Sequence, residues 1–330
     1  MNLRNPVLCL ALLLGAAAAQ AQMLKTPQWA AWVEAGKSEE LERAAEARLR
    51  GQPDDAEALV ARALAAIADG DVERVQAAGR GVQRCIDQQP KQAICYAAMA
   101  TVQGVEIVTG GTMKAITLAR PIRGNLQRAL ELDPLLFEPR QALLELYLKL
   151  PSFAGGGADK AQDLVQQARA RQPEHAKLLA ALLAHHDKQY AEMERGLQGV
   201  KPGNDPTLHM ALREAWYELG MQYVFDGDFA HAKAIFENLE RAYPRHATAA
   251  FGLARLAAAQ QQYEESARQF ERARGLIGAP RLPLDYRLGL MLIDKGDREQ
   301  ARVTLERFVA RKRGAPKYLD DARKRLAELG

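Results

Sequence analysis

The stretch that decides the fold runs Trp216-Tyr217-Glu218-Leu219-Gly220-Met221-Gln222-Tyr223, passes through Asp226-Gly227-Asp228-Phe229, and continues to Ala232, Phe236, Leu239 and Pro244. Trp216, Leu219 and Tyr223 stand at i, i+3 and i+7, which places them on one face of a helix. Gly220 lets a second helix approach closely, and Ala232 is the small residue expected to face it. The Asp-Gly-Asp segment reads as a turn. Pro244 cannot continue a helix and ends the second one. The segment is therefore a helix–turn–helix unit.

The frame propagates. Thirty-four residues on, Leu253, Ala254, Ala257, Tyr263, Ser266, Phe270 and Ala273 take the same places. After one extra residue Leu288, Gly289, Leu292, Gly296, Ala301, Leu305 and Phe308 do so again. Pro316 then opens a last helix to Leu329, whose charged side suits the solvated cap that a repeat array needs. Upstream, Pro53, Pro90, Pro134, Pro173 and Pro202 punctuate looser units. One unit carries Leu143 and Tyr147 on its first helix and Ala161, Val165 and Ala168 on its second. It has an insertion at Pro151 to Gly157, with Asp159 expected as the helix N-cap. The unit from Leu178 to Leu197 has a short second helix, and the first unit, with Trp29 and Trp32, is degenerate. Between Cys95 and Pro134 a helix is expected to end over Gly104 to Gly111, with Thr109-Gly110-Gly111 as the break. A second helix is expected from Met113 to Leu132, with Pro121 as a kink or new start.

These spacings match the tetratricopeptide pattern, and the chain from about Asp54 onward resembles bacterial tetratricopeptide-repeat proteins. The middle section is similar to an uncharacterised group of exported Gram-negative repeat proteins. They share a cysteine on either side of an interhelix proline (Cys85 and Cys95 about Pro90), the ending Ala129-Leu130-Glu131-Leu132-Asp133-Pro134, and a Gly155-Gly156-Gly157 insertion. The resemblance implies an all-α, right-handed solenoid of about eight helix pairs with a C-terminal capping helix. The expected divisions are 1–21 (leader), 22–204 (divergent repeats), 205–315 (well-matched repeats) and 316–330 (cap).

Composition agrees. Apolar residues make up 48% of the 330, enough for a core, and aromatics only 6%. The 45 basic and 41 acidic residues leave +4, which argues against a nucleic-acid partner. Arg4, the apolar run Val7 to Ala19 and Ala19-Gln20-Ala21 form a secretory leader pattern, with cleavage expected after Ala21 and the product periplasmic or secreted. Removing Cys9 leaves Cys85 and Cys95, an even pair expected to bond in an exported chain.

Reactive machinery is not evident. The glycine run lacks the phosphate-loop pattern. His185 and His186 point about 100° apart on a helix and chelate poorly, and with His175 they read as a solvated helix end. No metal, cofactor or enzymatic activity is expected. Under the resemblance, first helices line a concave groove. In the three C-terminal units that assigns Tyr217, Met221 and Val224, then Phe251 and Arg255, then Tyr286, Leu290 and Ile293 as a partner-binding surface for a peptide or helix of another envelope protein. Filling of this groove by the chain's own helices is the competing expectation. The alternative function is a periplasmic small-molecule-binding protein associated with an envelope transporter. The basic clusters Arg311-Lys312-Arg313 and Arg323-Lys324-Arg325 favour a solvated outer face over a membrane-surface contact.

Overall fold

The computed structural model describes residues 23–311 and 316–330. The expected leader, its cleavage site, Lys312 and Arg313 lie outside these. Sixteen α-helices follow one another among the described residues, with no strand beyond an isolated bridge between His246 and Ile277. They are α1 (Pro27–Ala35), α2 (Ser38–Gly51), α3 (Ala56–Asp69), α4 (Val72–Gln88), α5 (Ala93–Leu132), α6 (Phe137–Lys149), α7 (Ala158–Arg169), α8 (Pro173–His186), α9 (Tyr190–Gln198), α10 (Pro206–Asp226), α11 (Phe229–Ala242), α12 (Ala247–Ala259), α13 (Tyr263–Arg274), α14 (Leu284–Lys295), α15 (Arg298–Ala310) and α16 (Pro316–Leu329). From α4 to α9, and again from α11 to α16, each helix packs on its successor, and α6 meets α8 as α12 meets α14. Neighbour-on-neighbour packing of this kind is what helix pairs in series require. None of the helices searched is long and apolar enough to cross a membrane.

The chain divides into two compact units. The first holds residues 23–33, 37–67 and 71–212; the second holds 213–330 together with Glu34–Gly36 and Ala68–Gly70. In the first, Trp29, Leu41, Leu59, Leu64, Val82 and Ala129 form a core around Cys85 and Cys95. The two sulfurs lie 1.99 Å apart, at disulfide distance, between the end of α4 and the first turn of α5.

The pair expected between Cys95 and Pro134 is a single helix. α5 runs 40 residues, about 60 Å, through Thr109-Gly110-Gly111 and Pro121 without a break. Helical glycines cost about 1 kcal/mol each, which does not end a helix whose Ala119, Ile122, Leu126 and Ala129 are buried. Asp159 is not the N-cap of α7 either. Gly157 holds that place at φ 147°, a backbone closed to L side chains, and Asp159 sits in the first turn. Two carbonyls of the preceding loop are held by Lys160, whose Nζ donates to Gly155 and Gly156 O at 3.1 and 3.3 Å. His175 is not solvated. It is buried against the Phe137 ring, with Nε2 3.1 Å from Asp205, whereas His186 is exposed as expected.

In the second unit, Phe236 on α11 is gripped between two glycines. A Cβ on Gly220 or on Gly252 would come within 2.5 Å of its ring, so α10 and α12 approach it as only glycine permits. Gly227 and Gly296 turn the chain at φ 81° and 88°, and each is followed by an aspartate that caps the next helix. Asp228 accepts from His231 N at 3.1 Å and Asp297 from Gln300 N at 3.2 Å.

Candidate binding face on the first helices of the second unit

Helices α10, α12 and α14 are the first helices of the three well-matched pairs. Their 3.6-residue period brings the expected groove residues onto one side of the unit. Tyr217 and Phe251 stack with centroids 5.7 Å apart, and Arg255 Nη1 donates to the Tyr217 hydroxyl at 2.9 Å. Tyr286 packs instead with Phe308, at 5.6 Å, and Tyr318, at 4.7 Å. Its hydroxyl donates to Asp321 at 2.9 Å, tying α14 to α16. Burial, and then this hydrogen bond, push the Tyr286 pKa up to about 12.

Exposure divides the eight residues. Tyr217, Met221, Val224, Phe251 and Tyr286 are buried by their own chain, while Arg255, Leu290 and Ile293 are half-buried. Next to Val224, Phe225 is 55% exposed, with the Arg255 guanidinium 6.0 Å from its ring. The Tyr217 and Phe251 rings thus make a floor with Phe225 and Arg255 at its accessible edge, and Leu290 and Ile293 are partly exposed on α14.

Three participants were not singled out by sequence: Arg287, Tyr318 and Asp321. The Arg287 guanidinium lies 5.3 Å from the Tyr286 ring and 5.4 Å from the Tyr318 ring. Its place beside Tyr286 was a usable signal. Tyr318 and Asp321 belong to the capping helix, and no local pattern announces that they reach back to α14. Several other arginines of this unit have carboxylate partners. Buried Asp285 holds Arg274 at 2.8 Å, Arg311 at 3.0 Å and Arg307 at 3.6 Å. Burial works against the Arg274 charge, but the hydrogen bonds to Asp285 and Glu271 overcome it and raise the pKa. Arg213 meets Glu34 at 2.7 Å and Arg281 meets Glu214 at 3.0 Å. Among the described residues, no group of three or more His, Cys, Asp or Glu is placed to hold a metal ion.

Residues 217–280 match the tetratricopeptide-repeat family. The matched segment spans α10 to α13 and so contains Tyr217, Phe251 and Arg255. No curated protein matches the chain. Among solved structures, a tetratricopeptide-repeat protein from Parabacteroides merdae is 16% identical, covering 83% of this chain and 98% of its own, with a TM-score of 0.46. Pseudomonas aeruginosa pilF is 16% identical over 71% of this chain and 97% of its own, with a TM-score of 0.38. Human IFIT1, solved as a dimer with m7Gppp-AAAA, is 14% identical over 94% of this chain and 74% of its own, with a TM-score of 0.45. Likenesses this distant carry no argument about partners. Tetratricopeptide repeats commonly serve as scaffolds for protein–protein contacts, because stacked helix pairs leave an extended surface.

Proposed function

We propose that this chain is a non-catalytic scaffold of the cell envelope that holds a peptide or helix of another envelope protein on the first-helix face of its second unit. The observation that carries the reading is Phe225. A large aromatic side chain, half in water at the edge of an aromatic floor and beside a guanidinium, is the kind of anchor that protein interfaces use. Leu290 and Ile293, half-buried on α14, are the partly exposed apolar residues of the next first helix. The leader pattern at residues 1–21 supports export, and a cysteine pair at bonding distance suits an oxidising compartment.

Phe251 and Tyr286 are poor positions for the test, because charges there would report on folding. A photocrosslinking residue replaces Phe225 or Ile293, one at a time, in the full chain in cells. A control replaces Val303, a 47% exposed residue of α15. The expected outcome is one common adduct from both test positions that is absent from the control. Adducts equal at all three positions reject this face as the site.

A further inference from the structure

Three strongly exposed apolar side chains of the first unit lie on two segments that are tied together. On α5, Met113 is 72% and Ile116 68% exposed; in the loop between α6 and α7, Phe153 is 93% exposed. Met113, Ile116, Arg120 and Arg123 stand at i, i+3, i+7 and i+10, on one face of the helix. Arg123 Nη1 donates to Ala154 O at 2.9 Å, which sets the Phe153 loop against that face, about 10 Å along the axis from Ile116. Gly155 admits the arginine, because a Cβ there would collide with the guanidinium.

The loop pairs its polar backbone with itself and with these cations. Ala154 N and Gly156 N donate to Pro151 O at 2.9 and 3.1 Å, Gly155 N to Ser152 O at 2.9 Å, and Gly157 N to Tyr147 O at 3.0 Å. The carbonyls of Ala154, Gly155 and Gly156 accept from Arg123 and Lys160. Backbone groups already paired lose little when water is withdrawn, whereas an ordinary loop would strand them. The ring at its tip is therefore fit to enter a less polar phase.

Charge points to the phase. No Asp or Glu occurs from residue 107 to 130 or from 146 to 158, and Lys160 matches the charge of Asp159 just after the loop. Arg120 and Arg123 thus flank the apolar side chains with positive charge, and Lys114 beside them meets Glu106 at 3.6 Å. A ring 93% exposed projects from its surroundings. A folded partner would need a pocket shaped to it, while the headgroup layer of a bilayer takes an aromatic ring without a matching shape.

We infer that Phe153, Met113 and Ile116 enter the headgroup layer of an anionic lipid bilayer, with Arg120, Arg123 and Lys160 against the lipid phosphates, so that the first unit rests on a membrane surface. This surface is separate from the face of the second unit, and either reading stands without the other.

The test is co-flotation of the full chain with vesicles of phosphatidylcholine and phosphatidylglycerol in equal parts, against vesicles of phosphatidylcholine alone. Binding to the mixed vesicles is expected, and it is expected to fall at high salt. F153S, at a position open to solvent, is expected to keep the parent Tm and to bind about tenfold more weakly. R120Q is expected to bind the mixed vesicles about fivefold more weakly and to leave binding to phosphatidylcholine unchanged. F153W reads insertion directly: brominated lipid is expected to quench its fluorescence by more than it quenches the tryptophans of the parent. No binding to the mixed vesicles overturns the inference. Binding unchanged in F153S does so too, and assigns attachment to another part of the chain such as the apolar run at residues 7–19. If F153S unfolds earlier than the parent, F153W decides, and quenching no greater than in the parent overturns the inference. Self-association of the parent that F153S loses, without vesicle binding, assigns the patch to a second copy of the chain. A protein adduct from a photocrosslinking residue at position 153, without vesicle binding, assigns it to a protein partner. Either result overturns the bilayer.

Discussion

At the scale of single residues, the repeat is a set of backbone demands that some units meet better than others. The turn inside the α10/α11 pair uses Gly227 and Asp228, and that inside α14/α15 uses Gly296 and Asp297. The intervening α12/α13 pair places Gln261 at φ 58° and Gln262 at the cap, with no side-chain cap bond. An L residue in the left-handed region costs about 1–2 kcal/mol. Gln261→Gly is therefore expected to stabilise the protein by about 0.5–1 kcal/mol, and Gln262→Asp to add about 1 kcal/mol through the new cap, both read by chemical denaturation. The opposite outcome is expected at Gly252, where even one methyl collides with the Phe236 ring. Gly252→Ala is expected to cost about 1–3 kcal/mol by overpacking. A Tm equal to that of the parent would mean that Phe236 has room to move, contrary to its burial. Gly220, Gly296 and the turn at Gly227 were legible in sequence because each depends on a few neighbours at fixed spacing; Gly252, Gln261 and Gln262 were not singled out, because their demands come from the packed neighbour and the backbone turn.

Legibility falls at the scale of elements. Trp216, Leu219, Tyr223, Ala232 and Phe236 announce a helix pair because their faces are repeated thirty-four residues on. α5 has no such echo, and its glycines and Pro121 read as punctuation. What overrides them is a continuous buried side, Ala119, Ile122, Leu126 and Ala129, which a local pattern of breakers does not reveal. Pro121 still forfeits a backbone hydrogen bond in mid-helix. Pro121→Ala is expected to stabilise the first unit, by up to about 3 kcal/mol, in a denaturation series. The junction of α4 and α5 yields a separate expectation. Cys85 and Cys95 are ten residues apart and fully buried. Closing so short a loop is worth about 3 kcal/mol by loss of unfolded-chain entropy. Cys95→Ala is thus expected to lower stability by that order, and a reductant to bring the parent to the same value only where unfolding exposes the sulfurs. A ten-residue spacing alone does not distinguish a bridge from two buried thiols.

For the molecule as a whole, the feature that sequence could not supply is membership of distant segments in one unit. Glu34, on α1, belongs with residues beyond Arg213, 179 positions away. It accepts from buried Arg213 at 2.7 Å and lies 3.7 Å from His246 Nε2. Arg213 also faces the Tyr243 ring, at 5.0 Å. No periodicity relates a glutamate in a degenerate first unit to an arginine opening a well-matched one. The contact has a consequence in pH. Burial, and then the Arg213 charge, hold His246 at a pKa of about 4, with Glu34 acting in the opposite sense. The folded form therefore keeps the ring neutral, while the unfolded chain takes up the proton from about pH 6.5 downward. The contribution to stability is full above about pH 6.5 and is lost progressively as the pH falls toward 4. His246→Gln, which cannot titrate, is expected to flatten stability between those limits in a urea series run at several pH values. A parent-like slope in the variant would assign the acid sensitivity elsewhere. Glu34→Gln leaves the Arg213 charge buried with a weaker partner and is expected to cost about 2 kcal/mol at neutral pH. Adding Arg213→Met should recover most of that loss if the penalty is the stranded charge. A double variant no better than Glu34→Gln would mean instead that the Arg213 stem and its contact with Tyr243 carry the stability.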